Sequence, residues 1–304
     1  MEKSRSSYVM CILPKAGLGN QLFSLMKAVT FANIHQLPLK VIGFHQVKIG
    51  PYLRGEKIKR QYSNYFKIEE NILYELWNKI QFKYLNHLPV EIEPELGKPI
   101  DKFVPKNYLY KNIPHWSDYF SNLKEQRQEV FPLLWNILSE KVKQDLERLN
   151  PPVIGVHIRM GDFRKLATHE DFSKVGAVRT PEDYFIDIIQ TIRKINGTNL
   201  PVSIFTDGYA HELKNILSLP EVTMIEGNSD IVDLLLLSKS KIIVTSAGST
   251  FSYWAGFLSD APLILHPDHI HKTIRGKDSK FLYEGALDIA HPLLIEQLIK
   301  ITHP

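Results

Sequence analysis

The chain has 304 residues, 44% hydrophobic and 23% charged, with 37 basic and 33 acidic side chains and a formal net charge of +4. This is a globular composition, long enough for two ordinary domains, and it excludes a disordered or fibrous chain. The basic residues form none of the long runs that nucleic-acid binding favours, and Cys11 is the single cysteine, which excludes an intramolecular disulfide and a cysteine-rich zinc site.

In chain order, the apolar run at 8–13 reads as a strand with Cys11 in its core, followed by the turn Pro14-Lys-Ala-Gly-Leu-Gly19. From Asn20 to about Gln36, Leu22, Phe23, Leu25, Met26, Val29 and Ala32 recur at helical spacing, and 39–42 reads as a second strand. Strand, glycine turn, helix, strand is the opening of a parallel α/β sheet. Residues 45–150 are less regular, rich in Tyr, Trp, Lys and Pro, with helices predicted near 68–85 and 134–149. Pro151-Pro152 stops the latter, because proline cannot continue a helix and restricts its predecessor, and this sets an expected domain boundary at 150/151.

Beyond that boundary, apolar runs at 153–158, 202–206, 222–225, 242–245 and 263–265 read as short buried strands, with helical segments near 209–217, 230–237 and 250–258. Thr180-Pro-Glu-Asp183 starts another helix, with threonine as cap, proline in the first turn and acids at the positive helix end. The last helix, at 291–301, is amphipathic and is expected to pack back across the domain interface. The alternation implies a doubly wound parallel sheet, whose ligands sit beyond the carboxyl ends of the strands. No apolar stretch approaches the ~20 residues of a membrane span and no signal-peptide core is present, so an intracellular protein is expected and the sequon Asn196-Gly-Thr198 has no compartment to act in.

Three loops follow predicted strands where such a fold binds ligands. In Ala16-Gly-Leu-Gly-Asn-Gln21, two glycines allow close backbone approach and the following helix offers N–H groups to an anion. A plain tight turn fits equally well, since the third glycine of a dinucleotide fingerprint and the Lys-Ser/Thr of a P-loop are missing. In residues 155–163, His157 and Arg159 share one strand face, which a buried strand tolerates only where something satisfies them. Arg159 offers a planar, permanently charged fork suited to phosphate, with Asp162 placed to orient it; a purely structural Arg159–Asp162 pair is the other reading. The third loop, 244–254 together with Asp233, runs from a strand into hydroxyl residues and an aromatic-rich helix. Its hydroxyls and N–H groups suit a phosphate, or else a helix cap followed by core packing.

In order and spacing these loops resemble the α-1,2-fucosyltransferases of glycosyltransferase family 11 and, more distantly, the protein-O- and α-1,6-fucosyltransferases. The family's Gly-Leu-Gly-Asn-Gln-(Leu/Met)-Phe matches Gly17-Leu-Gly-Asn-Gln-Leu-Phe23, and its His-x-Arg-x-Gly-Asp matches 157–162. Its Phe-Ser-Asp-Asp is partly matched by Phe205-Thr-Asp-Gly208. Its Asp-Leu-x-Leu-(Met/Leu)-Ser and Ser-Ser-Phe-Ser-Trp-Trp-Ala resemble 233–238 and Ser249-Thr-Phe-Ser-Tyr-Trp-Ala255. Three positions depart: Gly248 stands for the family's Asn, Gly208 for the second Asp, and Tyr253 for the first Trp. Residues 45–150 carry no family signature.

The resemblance implies an α/β, GT-B-like enzyme of two Rossmann-like domains with the donor in the cleft between them, 1–150 on the acceptor side and 151–304 binding the GDP-sugar. It implies inverting transfer of L-fucose from GDP-β-L-fucose to a galactose-terminated oligosaccharide in α-1,2 linkage. Gly17, Gly19 and Asn20 would then approach the fucosyl-pyrophosphate. His157 and Arg159 would contact it, with Asp162 supporting Arg159, and Ser249, Thr250 and Phe251 would complete the phosphate site. Asp233 would accept from the guanine N1–H and exocyclic amine, a charged acceptor facing two donors. Neither cofactor nor metal is expected, since Arg159 would neutralise the leaving diphosphate and no Asp-x-Asp pair is present. The acceptor's base is unassigned, with His115 and Asp118 as candidates. The expected location is the cytoplasm, with at most a peripheral association at the inner face of the membrane. The alternatives are a non-catalytic nucleotide-sugar or glycan binder and a fucosyltransferase of different linkage. A Rossmann oxidoreductase is disfavoured by the glycine spacing of the first turn.

Overall fold

Short apolar strands separated by helices can bury both faces only by pairing in parallel, with the helices as crossovers. The chain does this twice. The computed structural model describes residues 6–269 and 272–301 and divides into two units. One contains the residues up to Val47 and Gln61–Lys141; the other contains Lys48–Arg60 and the residues from Val142 onward. The chain therefore enters the second unit at Val142, earlier than the 150/151 division expected from the proline pair, and 48–60 belongs with the later half.

The first unit opens with β1 (Val9–Ile12), α1 (Leu18–His35) and β2 (Leu39–Ile42). The single turn α2 (Gly50–Leu53) lies in the segment that joins the other unit, and α3 (Ile72–Ile80), β3 (Val90–Ile92), β4 (Asn107–Tyr110) and α4 (Arg127–Ile137) follow. Its sheet is parallel, in the order β2-β1-β4-β3. Cys11 is fully buried in β1, and burial raises its thiol pKa far above the ordinary value. Buried Lys27 on α1 pairs with Glu93 and donates to Asn112 O at 3.1 Å.

The helix expected at 68–85 is α3 followed by a π turn at Gln81–Leu85. Its polar side faces inward: Glu75 is buried and accepts the N–H groups of Gly43 and Phe44 at 3.0 and 3.1 Å, while Leu73 and Trp77 are exposed. The helix expected at 134–149 is two helices, α4 and α5 (Glu140–Glu147). Leu138 turns extended between them and bridges Phe66, and Ser139 N–H donates to Tyr65 O at 2.9 Å.

In the second unit β5 (Ile154–Ile158), β6 (Val202–Thr206), β7 (Val222–Met224), β8 (Ile242–Val244), β9 (Leu263–Ile264) and β10 (Glu284–Gly285) form one parallel sheet in the order β10-β9-β8-β5-β6-β7. Counted from β5, this is the Rossmann order 3-2-1-4-5-6. The helices are α6 (Glu182–Asn196), α7 (Lys214–Leu217), α8 (Asp230–Ser238), α9 (Thr250–Leu258) and α10 (Pro292–Ile299). Helix α8 presses so closely on β5 that a Cβ on Gly155 would run into Ser240 and lie 2.7 Å from Leu237 Cδ1.

Pro181, not Thr180, is the N-cap of α6, and the Thr180 hydroxyl instead accepts Ala247 N–H at 3.0 Å. Helix α10 packs within the second unit, where Leu294 and Leu298 enter the core beside Ile189 and Ile192. The Asn196 amide ties that end down, donating to Leu298 O at 3.0 Å and Ile301 O at 2.7 Å. No described helix is long and apolar enough to cross a membrane.

Candidate active site

The chain winds outward from β5 through β6 to β7, then returns to place β8 on the other side of β5. Loops leaving β5 and β8 therefore depart to opposite sides at their carboxyl ends, the switch point at which sheets of this order bind ligands. Register decides what meets there. Ile158 pairs with Thr206, so Arg159 and Asp207 leave neighbouring strands at one level. Val156 pairs with Val244, so Ser246 comes level with the end of β5. Arg159 N–H donates to Ser246 Oγ at 2.8 Å, and the Ser246 hydroxyl donates to His157 O at 2.9 Å.

Arg159 is clamped by two carboxylates. One Nη bonds Asp162 Oδ1 at 2.6 Å, and the other bonds Asp207. The second oxygen of Asp207 accepts the N–H groups of Met160 and Gly161 at 2.8 and 3.2 Å. A guanidinium has five N–H donors, so those not used here remain for an anion. Asp162 also bonds Arg60 at 3.0 Å. Burial disfavours its charged form, but the bond to Arg60 and the charges of Arg159 and Arg60 outweigh this and hold its pKa down at about 2.

His157 lies flat against Phe251, with ring centroids 4.8 Å apart and planes 24° apart, which joins the β5 end to the start of α9. Its Nδ1 is buried and has no hydrogen-bond partner among the described residues. Burial, with Arg159 adding to it and Asp207 opposing, lowers its pKa to about 3, so the ring is neutral. Neutral, it offers a ring nitrogen and not a charge.

Ser249 is the N-cap of α9 but makes no side-chain cap bond, and Thr250 and Phe251 open the helix. Two family departures meet here. Gly248 takes φ +70°, and its N–H donates to the Tyr253 hydroxyl at 2.8 Å, an acceptor that tryptophan lacks. The third, Gly208, has no room for a side chain: a Cβ would lie 2.6 Å from Met160 Cγ.

Asp233 sits in the first turn of α8 and accepts Asn228 Nδ2 at 2.9 Å. Burial raises its pKa to about 6, against the Asn228 bond and the charge of Lys57. Asp230, the first residue of the same turn, is raised to about 7 by burial and by Asp233 and Asp207, against Arg159 and Lys48. The predicted residues of the first unit form their own group: Gly17 caps α1, and Gly19 and Asn20 lie in its first turn, with Asn20 Oδ1 buried and unpartnered among the described residues. His115 caps the turn Trp116–Asp118, its Nδ1 accepting Ser117 N–H at 3.3 Å.

The second unit thus assembles His157, Arg159, Asp162 and Phe251 into one bonded and stacked cluster, with Ser249 and Thr250 adjoining Phe251 in sequence. Sequence reasoning missed Asp207, Arg60 and Asp230 as members of this neighbourhood. Asp207 stood in a quoted motif, and its place one residue past a strand end was the available signal. Arg60 lies in an irregular stretch that offered none.

A sequence model of glycosyl transferase family 11 matches residues 12–266. No curated protein matches the sequence. Among solved structures, the chain is similar to a mutant of Arabidopsis thaliana FUT1 in complex with GDP, at 16% identity and TM-score 0.46 over 87% of this chain and 71% of that one. It is similar to the Bradyrhizobium fucosyltransferase NodZ, at 15% identity and TM-score 0.48 over 86% and 96%, and to POFUT1 in complex with GDP-fucose, at 15% and 0.45 over 87% and 99%. At these identities and TM-scores the structural likenesses carry no argument; the family match, across most of the chain, does.

Proposed function

The chain belongs to glycosyl transferase family 11, and on that premise we propose that it transfers L-fucose from GDP-β-L-fucose to a galactose-containing glycan, inverting the anomeric carbon to give an α-1,2 linkage. One observation carries the reading: a guanidinium clamped by two carboxylates, beside a neutral imidazole with an unpartnered nitrogen, at the switch point of a Rossmann-order sheet. Nucleotides bind at that point of such sheets, and a fixed guanidinium matches diphosphate oxygens. The choice of fucose and guanine follows the resemblance carried by 17–23, 157–162 and 249–255.

In this reaction the C1–O bond of the donor breaks and its electron pair passes to the β-phosphate oxygen. The acceptor's hydroxyl oxygen bonds C1 from the opposite face and loses its proton, so the products are GDP, the fucoside and one proton. Arg159 neutralises the charge that grows on the β-phosphate; preorganised stabilisation of this kind usually contributes more to catalysis than any other single effect. His157 hydrogen-bonds a phosphate oxygen through a neutral ring. The free N–H groups that open α9, with the Ser249 and Thr250 hydroxyls, take further phosphate oxygens, and ionised Asp233 pairs with the guanine donors. The reading needs neither cofactor nor metal and places the enzyme in the cytoplasm, with at most a peripheral association at the membrane's inner face.

The test is GDP release from GDP-fucose with and without a panel of galactosides, lactose among them. Galactoside-dependent release, with a product cleaved by an α-1,2-specific fucosidase, is the expected result. Binding of GDP-fucose without release in the presence of any acceptor favours a non-catalytic binding protein instead.

A further inference from the structure

Arg60 takes no part in the chemistry just described, yet it is built into the same cluster. The segment 48–60 is fastened to the second unit, with Lys57 paired to Glu226 at 2.6 Å and the Tyr209 hydroxyl donating to Gly55 O at 3.3 Å. At its end Arg60 takes φ +56°, a left-handed conformation that residues with side chains seldom adopt. From there its guanidinium, only 10% exposed, reaches Asp162 at 3.0 Å and Glu56 at 2.6 Å. Glu56 is itself buried and accepts Arg54 Nε at 2.6 Å. Gly161 makes room for this: a Cβ there would run into Asp207 and lie 3.2 Å from Arg60 Nη2.

The result is an alternating row of charges, Arg54–Glu56–Arg60–Asp162–Arg159–Asp207, in which Asp162 stands between two guanidiniums. Asp162 is 36% exposed, so neighbouring atoms do not confine it sterically. A carboxylate bonded at one oxygen can still swing about the other; one bonded at both has a single orientation.

We propose that Arg60 is a positioning residue for the reaction: by holding Oδ2 of Asp162 it fixes the carboxylate that aims Arg159 at the leaving diphosphate. This rests on the role given above to Arg159. At metal sites, partners one step behind the group that touches the ligand change activity by ~10–100-fold when removed, and the lower end of that scale is expected for a carboxylate that keeps its bond to Arg159.

The informative variant is Arg60→Asn, since asparagine tolerates the left-handed backbone while losing the guanidinium. In the full chain, with GDP-fucose and lactose, kcat falls about tenfold, the donor KM changes little and the thermal midpoint holds. Arg60→Lys recovers part of the loss, because an ammonium can pair with Asp162 but cannot fork between it and Glu56. In an Asp162→Asn background, Arg60→Asn costs little more, since the tie it removes is already weakened. If Arg60→Asn melts early, Arg60→Gln, which keeps more of the stem, takes its place in the same cycle. An unchanged kcat in a folded variant, or an equal loss with and without the Asp162 carboxylate, overturns the proposal. Inactive Arg159→Ala beside fully active Arg60→Asn sinks this role alone, whereas active Arg159→Ala sinks the reading on which it rests.

Discussion

Replacing Arg159 by alanine removes the cation bonded to both Asp162 and Asp207. Its side chain is 18% exposed, with partners at 36% and 8%, so the cluster is neither a surface pair nor a fully buried one. Breaking a buried pair costs ~3–5 kcal/mol because an uncompensated charge remains. Here Asp162 keeps Arg60, and Asp207 keeps the N–H groups of Met160 and Gly161, so the fold loses less than that and survives. Catalysis loses more. A preorganised donor aimed at developing charge is worth ~2.7–4 kcal/mol, or ~10²–10³ in rate. Turnover should therefore fall by at least ~100-fold, measured as GDP release from saturating GDP-fucose with lactose, with circular dichroism confirming the fold. Arg159→Lys should rescue little, because a point charge cannot reproduce a fork held by two carboxylates. A folded alanine variant that turns over near the wild-type rate refutes the reasoning.

Asp233→Ala should raise the donor KM more than it lowers kcat, since guanine is held alike in the ground and transition states; an unchanged KM with a reduced kcat contradicts the assignment. Asp233 should also make GDP affinity pH-dependent: its carboxylate is charged above about pH 6 and protonated below, so calorimetry should show binding weaken as pH falls through that value, and a flat profile counts against it. Activity should survive EDTA and respond little to added Mg²⁺ or Mn²⁺, because Asp162 and Asp207 are already engaged by arginine and by backbone N–H groups; a chelated sample that is dead and revives with a divalent cation overturns the charge-neutralising role of Arg159. Gly208→Asp, which restores the family's residue, should destabilise the protein by ~1–3 kcal/mol by driving a Cβ into Met160; an undiminished thermal midpoint would show that Met160 can move aside.

The departures from the family pattern are local adjustments in packing. Gly248 and Tyr253 are hydrogen-bonded to each other, so the small residue and the hydroxyl act as a pair, and Gly208 leaves the space that Met160 fills.

Local patterning determined the parts of this protein that depend on local interactions. Strands β5 to β9 were legible because each is a short apolar run bounded by turn residues, and α9 lies where the aromatic-rich pattern put it; β10, a Glu-Gly pair with no apolar run to mark it, was not. The motif at 157–162 made the Arg159–Asp162 pair legible, because three residues of sequence suffice to bring the two together. The four-residue strand Asn107-Tyr-Leu-Tyr was not legible: it opens with a buried asparagine whose amide is satisfied by Asn86, a partner far away in sequence. Nor was the inward-facing Glu75, whose acceptors are matched by the backbone of 43–44. In the site, sequence separated what register joined. Asp207 reaches Arg159 because β5 and β6 end level, and Arg60 reaches Asp162 because 48–60 folds with the second unit. Hydrophobic periodicity records which face of an element is buried; it carries no record of which polar groups from distant strands will share a charge, and that only the tertiary structure decided.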